Sequence, residues 1–339
     1  MTDRIGFDTP RYIEAQVAAI RAAVEGKTDS LVVEFGGKIL QDRHAARVLP
    51  GYHEDAKLEL VLSLPESEPI FCVSAKDILG GRIRGDFKTR YDDETVRSLN
   101  ELEKRGLKVK HVALTRLLQG WESETRLQNF IRTIQARGNE VHYFYEIEDY
   151  TNTTQIAHHL DRNSFIDAVK PIQIVLSPGG GSGKFNVCLS QLYFLMKKGS
   201  IPFYLKLETF PVFDLPIHHP LHLAFMAASA DFFDHVMHDS NHGSGAVSYN
   251  RDIENYEILR RMSELFPAEG ALLRTITSAT SMGVNRLRAG IINEDVVMQE
   301  SYAEVGRRLA RYIREEENGQ TSKETVERTR QIAKMLWEN

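Results

Sequence analysis

Residues 179–184 read Gly-Gly-Gly-Ser-Gly-Lys, a run whose chemistry is oxyanion capture. Glycine lets main-chain N–H groups turn inward and come close to a ligand, and a following helix N-terminus adds partial positive charge. Lys184 would add a full charge. The complete phosphate-loop pattern is G-x-x-x-x-G-K-[ST]. This chain meets it only at Gly183-Lys184, with Pro178 at the first glycine position and Phe185 at the hydroxyl position. A Ser or Thr hydroxyl there normally holds Mg²⁺, and a phenyl ring cannot. The run therefore predicts a phosphate site formed by Gly179, Gly180, Gly181, Ser182, Gly183 and Lys184, with anion binding favoured over ordinary ATP hydrolysis.

Other stretches offer charge that could serve the same anion. In EFGGKILQDRHAARVLPGY (34–52), Gly37 and Lys38 follow an apolar run and form a second candidate contact. Arg43, His44 and Arg47 come next, with i, i+3 and i+4 spacing. RIRGDFKTRYD (82–92) carries Arg82, Arg84, Lys88 and Arg90, and Arg84 is the candidate phosphate ligand. In KLETFPVFDLPIHHPLHLAF (206–225), Lys206, Glu208 and His219 are the candidates to orient or protonate a reacting group. His218 and His222 are spaced i, i+4 across Pro220, but no H-E-x-x-H exists, which disfavours a zinc protease. In ASADFFDHVMHDSNH (228–242), Asp231, His235 and His238 would share one face if the stretch were helical. Asp231 and Asp252 are open candidates for Mg²⁺, and the metal is not assigned. Simpler readings stand beside these: a tight turn for Gly36-Gly37, a solvated face for the arginines, packing and capping for the histidines.

The elements needed to position these residues are visible in the patterning. Short β-branched or apolar runs occur at 30–35, 69–75, 109–115, 140–146, 172–177 and 201–208. Helical patterns fall at 10–25, 93–106, 122–137, 184–198, 219–235, 251–266 and 295–315. Strands alternating with helices imply a mostly parallel sheet, with ligands at the strands' carboxyl ends. The glycine run lies between the fifth strand and a helix, as a phosphate loop requires. A polar stretch near 150–171 marks a boundary. The fold class is α/β: a parallel-sheet, Rossmann-like first part (1–165), then a P-loop-like α/β part rich in helix (166–339). A polar tail at 314–331, broken at Asn318-Gly319, leads to a last helix capped by Thr321 or Ser322.

Of the 339 residues, 42% are apolar and 26% charged, enough for a sizeable core. The net charge of −5 argues against a general nucleic-acid or anionic-membrane partner. Cys72 and Cys188 sit in apolar runs and read as buried thiols of a reducing, cytoplasmic setting. The N-terminus lacks the apolar segment of a secretory signal, and no run is long enough to span a bilayer.

Several of these blocks together resemble the bacterial family known as domain of unknown function 1846: EFGGKILQDRHAARVLPGY, RGDFKTRYD, SPGGGSGKFNVCLSQLY, KLETFPVFDLPIHHPLHLAF, AASAD, YNRDIE and MGVN, in order across most of residues 5–295. The resemblance implies a cytosolic α/β protein with Rossmann-like and P-loop-like parts, and no particular reaction. In the family the loop resembles PGPGSGK followed by an aliphatic residue, so Gly180 replaces a proline and Phe185 shares the missing hydroxyl. Ser281 and Ala279 stand where the family usually has aspartate and proline. Family members also extend beyond the end of this sequence, which resembles their N-terminal two-thirds.

The expectation is an enzyme acting on a phosphorylated small molecule, with phosphotransfer as the reaction class and a nucleotide with Mg²⁺ as the candidate cofactor. The alternative is a non-catalytic regulatory protein that binds a nucleotide or phosphosugar. A homo-oligomer is left open.

Overall fold

The computed structural model describes residues 5–84, 89–147, 153–242 and 245–338. Among them, seven strands form one sheet: β1 (Leu31–Phe35), β2 (Ser67–Ser74), β3 (His111–Leu117), β4 (Glu140–Tyr145), β5 (Ile172–Leu176), β6 (Phe203–Leu207) and β7 (Gly283–Val284). Their spatial order is β7-β6-β1-β5-β2-β3-β4, and every neighbouring pair is parallel. The first six are the runs expected from sequence, within a few residues. The two-residue β7 was not anticipated. Residues 148–152, which run into the expected boundary segment, lie outside the described residues. The division at 165/166 falls between β4 and β5, yet β5 takes its place between β1 and β2. The two segments thus contribute to one sheet.

Period-two alternation assigns the strand side chains to two faces. In β1, Leu31, Val33 and Phe35 join a core with Phe71, Val73, Leu114, Ile174 and Leu205. Val32 points the other way, with Cys72, Ala113, Val175 and Tyr204. All five residues of β1 are buried, as expected for a central parallel strand covered on both sides. Helix α1 (Thr9–Val24) supplies Val17 and Ile20 to the first face; α2 (Lys184–Lys197) and α3 (Asn250–Glu264) supply Leu189, Leu192 and Leu259 to the second. α1 begins where Asp8 accepts the Arg11 N–H and Pro10 sits in the first turn.

A third core lies beside the sheet. There Leu221, Ala224, Val305 and Ile332 join helix 220–228 to α4 (Glu294–Glu317) and α5 (Lys323–Glu338). Ser322 caps α5 by accepting the Thr325 N–H at 3.1 Å.

The stretch 228–242 departs from its helical expectation. Helix 220–228 stops, residues 230–232 make a 3₁₀ turn, and Phe233 takes φ +57°. Val236–His238 then forms an antiparallel pair with Val247–Tyr249. Asp231, His235 and His238 therefore share no helical face; His and Asp at helical spacing misled because Asp231 lies in a 3₁₀ turn while His238 lies in a strand beyond the left-handed Phe233.

Candidate functional site

The carboxyl ends of three adjacent strands, β6, β1 and β5, open into a cavity of about 770 Å³. One wall is the glycine run. Gly181 and Gly183 adopt φ of +73° and +76°, which glycine reaches without steric cost. Gly183 has a second requirement: a Cβ there would lie 2.8 Å from Thr115 Cβ. Thr115 Oγ1 donates to the Ser182 carbonyl at 2.5 Å, so β3 clamps the loop from below. Among the described residues, no backbone N–H from Gly179 to Asn186 donates a hydrogen bond within the protein. Ser182 is 4% exposed, and its Oγ has no hydrogen-bond partner among them.

Lys184 opens α2 and is buried, with its Nζ 3.0 Å from Ser177 Oγ. That hydroxyl donates in turn to the Gly179 carbonyl at 2.7 Å, leaving its lone pairs for the ammonium. Burial pushes the Lys184 pKa down, and the carboxylates of Glu34 and Glu208 oppose the shift. A buried charge costs several kcal/mol after relaxation, roughly more than one hydroxyl contact of about 1–3 kcal/mol returns. An anion in the cavity would supply the missing attraction.

The opposite wall is an ionic group. Lys206, from β6, bonds Asp252 in the first turn of α3 and lies 3.0 Å from Glu208 Oε1. Burial opposes charge on Lys206, but Asp252 and Glu208 outweigh it and hold the ammonium well above its usual pKa. Glu208 is pushed up by burial, which the Lys206 charge only partly offsets. Gly36, at the end of β1, leaves room for that carboxylate. Glu34, register partner of Lys206, accepts the Tyr204 hydroxyl at 2.8 Å and also lines the cavity. Arg251 reaches the rim, 2.7 Å from Asp234.

The cavity thus gathers Gly37, Gly180, Gly181, Ser182, Gly183, Lys184, Lys206 and Glu208 from the sequence candidates. Gly179 lies in the same loop, under the Tyr91 hydroxyl. Lys38 is half-buried and is not among the cavity residues. The side chain of Arg84 lies outside what is described, as does Lys88. His219 is placed elsewhere: it caps helix 220–228, its Nδ1 accepting from Leu221 N, and its Nε2 lies 2.8 Å from Glu294. His222 is a packing histidine, accepting from Val212 N and facing the Pro216 carbonyl. His44 and Arg47 gather with Arg308 around Glu304 of α4. Asp252, weighed from sequence only as a Mg²⁺ candidate, is the ion partner of Lys206.

Sequence reasoning missed Glu34, Ser177, Thr115 and Lys57. Lys57 is buried, donates to the Gly36 carbonyl at 2.8 Å and pairs with Asp42 at 3.1 Å. Glu34 carried a signal: a carboxylate inside an otherwise apolar strand needs a partner or a ligand.

A parallel α/β sheet with a strand, glycine loop and helix bordering a charged cavity defines the general class of this protein. The chain belongs to the family described as "Domain of unknown function DUF1846, N-terminal", whose pattern matches residues 5–336. It is 39% identical over 337 residues to a "UPF0371 protein" of Clostridium botulinum (strain ATCC 19397 / Type A), covering 97% of this chain and 66% of that protein. A "UPF0371 protein" of Clostridium tetani is 40% identical with the same coverage. The chain thus spans about two thirds of the length of these relatives. No helix among the described residues is long and apolar enough to cross a membrane.

Proposed function

We propose that the cavity binds a phosphorylated small molecule and that the protein acts on it, with phosphoryl transfer as the reaction class. In this reading the unit β5–loop–α2 is P-loop-like, and the strands before it form a Rossmann-like half. The observation that carries it is the loop itself: N–H groups from Gly179 to Asn186 without a protein acceptor among the described residues, beside the buried Ser182 hydroxyl and the Lys184 ammonium. Donors preset around an anion stabilise charge that develops in transfer. Lys206 and Glu208 on the facing wall are the candidates to orient and protonate the reacting group. The free, buried thiols of Cys72 and Cys188 fit a cytoplasmic setting.

The fit to Mg²⁺ is poor on the protein's side. Phe185 packs edge-on against Tyr204, with ring centroids 6.2 Å apart, where a hydroxyl would be needed. Glu208 and Asp252 already face the Lys206 ammonium. Any Mg²⁺ would have to arrive held by the phosphates of a nucleotide. This same observation favours the second reading, a regulatory protein that binds a nucleotide or phosphosugar without turnover.

Thermal unfolding with inorganic phosphate, nucleotides and sugar phosphates, each with and without Mg²⁺, tests the proposal, because a ligand of the native state raises its melting temperature. We expect a rise with at least one phosphorylated compound that disappears in Lys184→Met. No rise with any of them would overturn the binding site. A rise without product formation would select the regulatory reading.

A further inference from the structure

At the other end of the sheet, where the strands begin, two imidazoles and a carboxylate converge. His111 opens β3 and Glu140 opens β4, and the two are register partners. His142 stands two residues after Glu140, so both project from the same face of β4. His111 Nδ1 lies 3.0 Å from His142 Nε2 and 3.4 Å from Glu140 Oε2; His142 Nε2 lies 3.8 Å from the same oxygen. Two ligands each about 2.1 Å from a tetrahedral zinc ion sit roughly 3.4 Å apart, so this triangle has the dimensions of one face of such a tetrahedron. Among the described residues this is the one set of three His, Cys, Asp or Glu side chains with ligand atoms so close together.

The outer atoms of the set are held in a way that directs the inner ones. His111 is 1% exposed, and its Nε2 lies 2.9 Å from Glu68 Oε1. Glu68 Oε2 accepts the N–H groups of Val169 and Lys170, at 2.7 and 3.1 Å, which favours its ionised form. An ionised Glu68 accepts a hydrogen bond from the Nε2–H of His111, which leaves the Nδ1 lone pair aimed at His142 and Glu140. Glu140 Oε1 pairs with Lys110 at 3.1 Å, leaving Oε2 for the rings. A carboxylate that fixes the tautomer of a ligating histidine is a recurrent support of metal sites. A hydrogen bond between the two rings would use one lone pair but leave Glu140 Oε2 facing another acceptor; a cation satisfies all three.

We propose that His111 Nδ1, His142 Nε2 and Glu140 Oε2 bind one divalent transition ion of the zinc type. Water completes the coordination on the side of half-exposed Glu140. The ion ties edge strand β4 to β3 and is independent of the phosphate cavity. The chelator-stripped chain titrated with Co²⁺ provides the test, through the visible absorption bands of a four-coordinate site. The expected result is bands that saturate at one equivalent and are displaced by Zn²⁺. Glu68→Gln, which keeps an oxygen for the Val169 and Lys170 N–H groups but no longer fixes the tautomer of His111, should weaken binding by about 10–100-fold. His142→Gln should abolish the bands, with circular dichroism showing the fold retained; if that variant does not fold, Glu140→Gln takes its place with the same readout. Absence of stoichiometric bands in the unmodified chain, or bands unchanged in the folded ligand variant, would overturn the proposal.

Discussion

Gly36 and Glu208 occupy each other's space: a Cβ on Gly36 would lie 1.9 Å from Glu208 Oε2. The end of β1 lacks a side chain because a carboxylate from the loop after β6 fills that position. Gly36→Ala should therefore act through Glu208. We expect the fold to survive, since a carboxylate on a flexible stem can move, with a loss of about 1–3 kcal/mol, the usual range for overpacking. In a Glu208→Ala background the same substitution should cost much less. A double-mutant cycle in denaturant measures the coupling, and additive costs would refute the relationship.

Lys184 and Lys206 are both buried, yet their replacement should have opposite consequences. Lys184 has a neutral hydroxyl partner, so Lys184→Met removes a poorly compensated charge. The ligand-free variant should be as stable as the parent or more so, by about 1–2 kcal/mol, because apolar replacement of buried ions is often neutral or favourable. A large destabilisation in chemical unfolding would show that the ammonium is instead an internal structural tie.

Lys206→Met should be severe. It leaves Glu208 and Asp252 facing each other without their shared ammonium. Removing one partner of a buried ion pair costs about 3–5 kcal/mol. Part of the loss should return when Asp252→Asn is added. If the single variant melts like the parent, the ionic group contributes little.

Acid should weaken the fold through buried His222 and largely buried His44. Burial, then the Arg308 charge, lowers the His44 pKa to about 4, with Asp42 and Glu304 opposing and Arg47 assisting. Burial, then His219, lowers His222 to about 4. In each case the unfolded chain binds the proton first. The stability these groups provide is complete above about pH 6.5, falls as pH drops toward 4 and levels off below it. A shift of this size corresponds to on the order of 3 kcal/mol per group. Denaturant titrations at pH 7 and 4.5 should show the fall, and His44→Gln should reduce it. A stability curve flat over that interval would contradict the assignment.

The sequence revealed most where burial is total. Five of the six longer strands are apolar runs because helices or loops cover both faces, and Leu31–Phe35 could be read for that reason; edge strand β4 is mostly half-buried. β7 has two residues, too few for any period. Lys184 was legible from its strand–loop–helix context, but Ser177 and Thr115, which hold the lysine and the loop, are neutral hydroxyls of a kind found in any turn. Asp252 is 46 residues from Lys206, and no local pattern signals a pairing that arises from how α3 packs over the sheet. His111 and His142 were passed over inside strands because cross-strand register, unlike helical spacing, cannot be counted along one segment.

β1 sits between β5 and β6, both of which lie beyond residue 170. During synthesis this five-residue strand emerges early and finds neither neighbour until more than a hundred further residues have left the ribosome. β2 meanwhile can pair with β3, and β3 with β4. In the finished sheet β1 and β2 lie two strand spacings, roughly 9–10 Å, apart, and β5 fills the gap between them. Closing such distant contacts is slow, and unpaired edges attract other chains in the interval. The same late insertion brings the glycine loop beside Gly36, so the walls of the cavity can meet only once β5 and β6 have joined the sheet.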